Sequence, residues 1–190
     1  MKTSFYATIS AGKYKGKKLL LPALASTRST KAVIKESLFD TLQFDIIDET
    51  FVEVFGGSGS MGLEALSRGA KRAFFIEKDP KAFSILKSNC QSIDEKNTTC
   101  IQGDSFIVFN TILQALTCRA FFYFDPPFSI REGMEDIYQN VLDLIATIPQ
   151  NLANLIVVEH MSNLMLPSQI GPYTLKKTKK FGKSSLSYFI

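Results

Sequence analysis

Four consecutive residues, Asp125-Pro126-Pro127-Phe128, set a carboxylate, two prolines and an aromatic ring directly after the apolar run Ala120 to Phe124. Two prolines fix the backbone and remove two N–H donors, which leaves a stiff turn with outward-facing carbonyls. Such a turn suits a planar guest that donates from an amine. The amine of a nucleobase is a poor nucleophile, because its lone pair is delocalised into the ring. Accepting both of its N–H bonds, at the Asp125 carboxylate and the Pro126 carbonyl, would hold the nitrogen towards tetrahedral geometry and stabilise growing positive charge. Phe128 would stack on the extruded base. Asp125, Pro126, Pro127 and Phe128 are therefore the candidate catalytic residues. A proline-stiffened loop over a buried Phe128 would explain the apolar character, but not an acid at the edge of a sheet.

A second constellation begins at Glu53, where Glu53-Val54-Phe55-Gly56-Gly57-Ser58-Gly59-Ser60-Met61-Gly62 closes an apolar run and opens a helical stretch. Gly57, Gly59 and Gly62 form a GxGxxG pattern in the strand-to-helix setting that a dinucleotide or nucleoside cofactor loop requires. By itself the pattern does not separate a nicotinamide cofactor from S-adenosylmethionine. Glu77 ends the next apolar run, 20 residues after Gly57, where a carboxylate can accept both ribose hydroxyls of an adenosine moiety. Asp79, before Pro80, reads as a helix cap. Asp104, in Gly103-Asp104-Ser105, can accept from an adenine amine, cap a helix, or do both through different atoms.

These residues have to be positioned by regular elements. From Thr50 onward short apolar runs alternate with helical stretches: strands at 51–55, 72–76, 98–102, 120–124 and 155–158, and helices after the glycine-rich residues through Leu66 and over 80–93, 105–116 and 132–148. Tyr173 to Thr178 and Leu186 to Ile190 read as a final antiparallel pair around Gly182. The pattern predicts an α/β fold, a doubly wound, mainly parallel, seven-stranded Rossmann-like sheet covered on both faces. Ligands in such sheets bind beyond the carboxyl ends of the strands, where Glu53, Glu77, Asp104 and Asp125 all fall. Ahead of it, Phe5 to Ser10 and Lys17 to Pro22 read as a small β-hairpin, then an irregular link over 23–29 and a helix capped by Ser29 or Thr30. The expected division is a basic hairpin extension at 1–28 and a catalytic domain at 29–190.

Charge is unevenly distributed. Residues 1–35 carry eight bases and no acid, residues 161–190 five lysines and no acid, and the middle a net −9, within a total of +4. Two basic arms on an acidic body form a footprint for a polyanion such as RNA. Lys13, Lys15 and Lys17 of the hairpin loop, with Arg28 and Thr30 at the rim of the site, are the candidate RNA-binding residues. Three cysteines without CxxC spacing and a single histidine, His160, supply no zinc set, so no metal is expected and His160 reads as structural. The chain starts without the features of a signal peptide and has no apolar run of ~20 residues. A cytoplasmic, monomeric protein without membrane contact is the expectation.

On these residues the chain resembles the RsmD-type ribosomal RNA guanine-N2-methyltransferases, a group of class I Rossmann-like S-adenosylmethionine-dependent enzymes. The resemblance runs from the basic hairpin at Ile9 to Leu19, through Arg28-Ser29-Thr30 and Lys35-Glu36-Ser37-Leu38-Phe39, to the loop from Phe55 to Ala65 and Asp125 to Phe128. It implies S-adenosylmethionine as cofactor and a guanine amine of small-subunit ribosomal RNA, naked or in an assembling ribonucleoprotein, as acceptor. It further implies a cofactor set of Glu53, Phe55, Gly57, Ser58, Gly59, Gly62, Glu77, Lys78, Asp104 and Ser105. Glu53, Gly57 and Gly59 would line the methionine end and Glu77 the ribose. Glu53 stands where the group has aspartate, Ser29 replaces a proline, Lys35 an arginine and Gly56 an alanine. None of these removes an acceptor. An adenine-N6 or glutamine-amide methyltransferase fits the same proline turn. A nicotinamide-dependent oxidoreductase fits the glycine loop and Glu77 but leaves Glu53 and Asp125 to Phe128 unexplained. A non-catalytic RNA-binding module explains only the basic arms.

Overall fold

The computed structural model describes residues 5–22, 28–127 and 136–190, with the backbone alone at 28–30. The apolar runs at the centre of the chain become parallel strands whose two faces are both covered by helices. Strand β3 (Thr50–Glu53) lies in the middle, flanked by β4 (Arg72–Glu77) and then β5 (Thr98–Gln102) on one side. On the other side come β6 (Ala120–Phe124) and β7 (Ala153–Met161), and all five are parallel. Two long antiparallel strands extend that side, β10 (Ser184–Phe189) beside β7 and β9 (Tyr173–Phe181) beyond it. These are the seven expected strands. A two-residue strand β8 (Gln169–Ile170) on the edge of β9 brings the sheet to eight. The chain enters at β3, steps out to β5 and crosses back to β6, so the order reverses between β3 and β6. A crevice opens at the carboxyl ends there.

Alternation along the strands divides the core in two. Phe51, Phe75, Tyr123 and Val157 face α1 (Arg28–Leu42), α2 (Ser60–Ser67) and α3 (Pro80–Asp94). Val52, Phe74, Phe122, Phe124 and Val158 face α4 (Ser105–Ala115) and α5 (Ile137–Ala146). The Phe109 ring of α4 packs 6.1 Å from Phe122 and 6.0 Å from Phe124. Helix α1 begins at Arg28, so Ser29 and Thr30 lie inside its first turn and neither is the expected cap. The expected link is described only from Arg28, and the first residues of the helix expected from Glu132 lie outside the described set. Among the described residues no helix is long and apolar enough to cross a membrane.

The hairpin pairs β1 (Phe5–Thr8) with β2 (Lys18–Leu21) and docks on the helices through both apolar and polar contacts. Ile9 and Leu19 are fully buried in the same core cluster as Phe51 and Phe75. Glu64 of α2, also fully buried, accepts from the Ser10 N–H (2.9 Å), the Ser10 hydroxyl (2.7 Å) and the Ala11 N–H (3.1 Å). It also pairs with Lys35 of α1 at 2.9 Å and Arg68 at 2.9 Å. Burial alone would raise the Glu64 carboxyl, but Lys35 and the Ser10 donors outweigh it and hold it below the usual carboxylate range. Asn89 of α3 adds a second clamp, exchanging two 2.9 Å bonds with the Leu20 backbone and donating to the Ser58 carbonyl at 2.8 Å. Removing one partner of a buried ion pair strands the other, so Glu64→Ala should cost about 3–5 kcal/mol. Urea unfolding measures this, and a loss under about 1 kcal/mol would show that apolar contacts alone dock the hairpin.

Candidate active site at the carboxyl edge of the sheet

The chain leaving β3 is held between its neighbours by the Val54 N–H on the Tyr123 carbonyl (3.0 Å) and the Gly56 N–H on the Ile76 carbonyl (2.7 Å). The glycine loop follows. Gly57 has φ +52° and donates its N–H to Glu77 at 2.7 Å. Gly59, at φ +77°, is the residue before α2. A Cβ on Gly59 would lie 2.6 Å from the Leu86 side chain, and one on Gly62 would lie 2.4 Å from the Phe75 ring. Gly62 donates its N–H to Glu53 at 2.8 Å. Gly59 thus lets the start of α2 pack against α3 and Gly62 lets α2 approach the sheet, and they line neither of the clefts described next.

Two clefts meet at this edge. The smaller, about 570 Å³, is lined by Phe55, Gly57, Glu77, Lys78, Asp104, Ser105, Phe106, Asp125 and Pro127 among others. Glu77 is fixed by backbone donors on both oxygens, Gly57 on one and Asp79 (2.7 Å) on the other. Asp104 divides its oxygens: one caps α4 through the Phe106 N–H (3.0 Å) and the other pairs with Lys78 (2.8 Å), which pulls its carboxyl below the usual range. Asp79 is a cap, accepting from Lys81 and Ala82. Ser105 donates to the Val54 carbonyl at 2.6 Å, and the Phe55 and Phe106 rings meet edge-on at 5.8 Å. A fixed carboxylate, a second one at a helix N-terminus and two aromatic rings line this one cleft, which matches the needs of an adenosine group: hydroxyl acceptors, an amine acceptor and apolar walls.

The larger cleft, about 810 Å³, runs beneath the hairpin and includes Thr8, Lys15, Lys31, Lys35, Glu53, Ser58, Tyr123 and Glu159. Phe55, Gly57 and Asp125 line both clefts. Pro126 is buried and Pro127 half-buried, while Phe128 lies outside the described residues. Lys13, Lys15 and Lys17 are all exposed on the hairpin loop, yet only Lys15 reaches the cleft. Arg28 and Thr30 are described only as backbone of the first turn of α1.

Three carboxylates stand on the adjacent strand ends of β3, β6 and β7: Glu53, Asp125 and Glu159. Glu159 is fully buried and is held by the Tyr123 hydroxyl. Lys31 of α1 bridges the other two groups, in contact with Asp125 and 3.4 Å from Glu159. Burial would lower the Lys31 ammonium, but the two carboxylates outweigh it and raise its pKa. Burial pushes the Glu53 carboxyl up to about 8 against the Gly62 N–H, and burial together with Asp125 pushes Glu159 up to about 7. Lys31, Tyr123 and Glu159 were not among the residues expected from the sequence. Only Glu159 carried a signal, its place at the end of strand five. His160, next to it, is buried and bonded to the Met161 carbonyl and the Ser187 hydroxyl, both at 2.9 Å, which is a structural role.

The strand order and the carboxylate-lined crevice are those of a class I methyltransferase. The family model described as "Conserved hypothetical protein 95" matches residues 7–190. Among relatives, a putative rRNA methyltransferase YlbH of Bacillus subtilis is 26% identical over 182 residues, 95% of this chain and 97% of that one. The ribosomal RNA small subunit methyltransferase D of Escherichia coli K12 is 32% identical over 135 residues, covering 71% and 66%. A solved structure titled as the putative methyltransferase yhhF from Escherichia coli superposes with a TM-score of 0.78 at 28% identity, covering 97% of each chain. The chain belongs to this family, that of the RsmD-type S-adenosylmethionine-dependent methyltransferases.

A carboxyl with its folded pKa raised keeps its proton longer folded than unfolded, so the folded state loses stability as pH rises between the two values. For Glu53 that window runs from about 4.5 to about 8, and for Glu159 it closes near 7. Between pH 7 and 8 the fall in thermal midpoint should therefore come from Glu53, and Glu53→Gln should flatten it. An unchanged slope in that interval would place the titration elsewhere.

Proposed function

We propose that the protein transfers a methyl group from S-adenosylmethionine to the exocyclic N2 amine of a guanine in small-subunit ribosomal RNA. The observation that carries this reading is Asp125, a carboxylate on the stiff turn after β6 that lines both clefts. The smaller cleft is assigned to the cofactor, with Glu77 accepting from the ribose hydroxyls and Asp104 and Ser105 at the adenine end. Glu53 and the glycine loop lie towards the methionine end. The larger cleft is assigned to an extruded base. When bound, the cofactor supplies an electrophilic methyl on a sulfonium.

The remaining work falls to this chain. Asp125 and the Pro126 carbonyl accept the two N–H bonds of the base amine, which localises the nitrogen lone pair and stabilises the positive charge that grows on it. Pro126 and Pro127 keep those acceptors from relaxing, so their orientation is in place before the base arrives. Phe128 is assigned to stacking on the base. The basic hairpin, the proposed extension at 1–28, is assigned to phosphates through Lys13, Lys15 and Lys17, with Arg28 and Thr30 at the rim, against a catalytic domain at 29–190. The names of the relatives support ribosomal RNA as substrate. A monomer acting in the cytoplasm completes the reading. The nicotinamide alternative gives no role to Asp125, and an RNA-binding module gives none to the smaller cleft.

Asp125→Ala should lower methyl transfer by roughly 10²–10³-fold while S-adenosylhomocysteine still binds by calorimetry. Retained activity would remove the amine acceptor from the account, and binding of NADH in place of S-adenosylhomocysteine would end it. Nucleoside analysis of labelled RNA should find the methyl on guanine N2. Charge reversal at Lys13 and Lys15 should weaken RNA binding and reduce its salt slope by about one for each phosphate no longer neutralised. An unaltered slope would take the hairpin out of the interface.

A further inference from the structure

Glu159 has no part in the chemistry above, yet it is fully buried, it lines the larger cleft, and among the described residues its Oε1 has no hydrogen-bond partner and meets Lys31 only as a 3.4 Å ion pair. The other oxygen is taken by the Tyr123 hydroxyl, so the carboxylate cannot turn to satisfy Oε1 without losing that bond. A buried carboxylate oxygen left open is costly, and it persists where a ligand completes it. Its ion-pair partner among the described residues is the Lys31 ammonium, 3.4 Å away and also in contact with Asp125. Asp125 and Glu159 therefore converge on one donor-filled space. Lys31 is half-exposed on a flexible stem, so it can leave when a better-shaped donor enters.

We propose that Glu159 is a specificity-determining residue: its Oε1, once Lys31 moves aside, accepts the N1–H of guanine while Asp125 holds the adjacent amine. The proposal rests on the guanine reading above and deepens it. Guanine presents two neighbouring donors on its Watson–Crick edge, N1–H and the N2 amine. Adenine presents an amine beside the N1 lone pair, and a glutamine side chain presents an amide nitrogen beside a carbonyl. A second acceptor at Glu159 rewards the first arrangement and repels the other two. The proline turn alone accepts all three. Discrimination then comes from an unpaired or repelled acceptor in the wrong complex, which is how polar sites reject analogues.

The test uses small-subunit RNA in which the mapped target nucleotide is guanosine or 2-aminopurine riboside, in whichever form, naked or assembled, the wild-type enzyme methylates. 2-Aminopurine keeps the amine but has an acceptor at N1. In single turnover the wild type should favour guanosine by about 10- to 100-fold. Glu159→Gln, whose amide can donate to N1, should lose rate on guanosine and lower that preference about tenfold or more, with S-adenosylhomocysteine affinity unchanged. The missing 6-oxygen of 2-aminopurine affects both enzymes alike and drops out of the comparison. A wild type that methylates both nucleotides equally overturns the assignment without any variant having to fold. So does an undiminished preference in Glu159→Gln. Methyl found on adenine N6 overturns the guanine reading itself, an outcome that the nucleoside analysis separates from the other two.

Discussion

Three carboxylates on neighbouring strand ends repel one another, and each loses hydration where the sheet meets its helices. That constraint shapes the whole carboxyl edge. Glu53 accepts from the Gly62 N–H, yet burial outweighs that bond and keeps its proton to higher pH, Glu159 leans on the Tyr123 hydroxyl, and Asp125 relies on Lys31 from a helix far away in sequence. The arrangement holds because the parallel order brings the ends of β3, β6 and β7 together. An acidic crevice of this kind is poised for a cationic group on one side and for N–H donors on the other.

The same edge explains why the hairpin is clamped so firmly. Lys31 and Lys35 sit four residues apart on α1, one pairing with Asp125 at the crevice and the other with Glu64 beneath the hairpin. Glu64 in turn holds the hairpin backbone at Ser10 and Ala11. A short run of contacts thus connects the basic loop, the helix that covers the larger cleft and the strand-end acids. The roof of the cleft and its floor are set by one polar network.

The glycine loop answers to two physical demands at once. Gly57 is where the left-handed turn and the bond to Glu77 meet at the cleft. Gly59 and Gly62 instead answer to Leu86 and Phe75, whose side chains occupy the space a Cβ would need. The pattern GxGxxG records both demands together: a left-handed turn at the cleft wall and close packing at the start of α2.

Much was legible in the chain alone. Alternating apolar runs and helical stretches fix a parallel sheet because period and burial are local properties of the residues, and that in turn assigns Glu53, Glu77, Asp104 and Asp125 to one edge. The stiff acid-proline turn was equally plain, since proline acts on its own backbone. What the sequence does not contain is which helix side chain meets which strand end. Lys31 is 94 residues from Asp125, and Glu64 is 54 from Ser10 of the hairpin it holds. Those pairings depend on how α1 and the hairpin pack over the sheet, a matter of three-dimensional closure with no period or spacing to announce it. The tertiary structure alone therefore decided that Glu159 is buried at the wall of the larger cleft, and that Lys31 of α1 reaches the strand-end acids from outside the sheet.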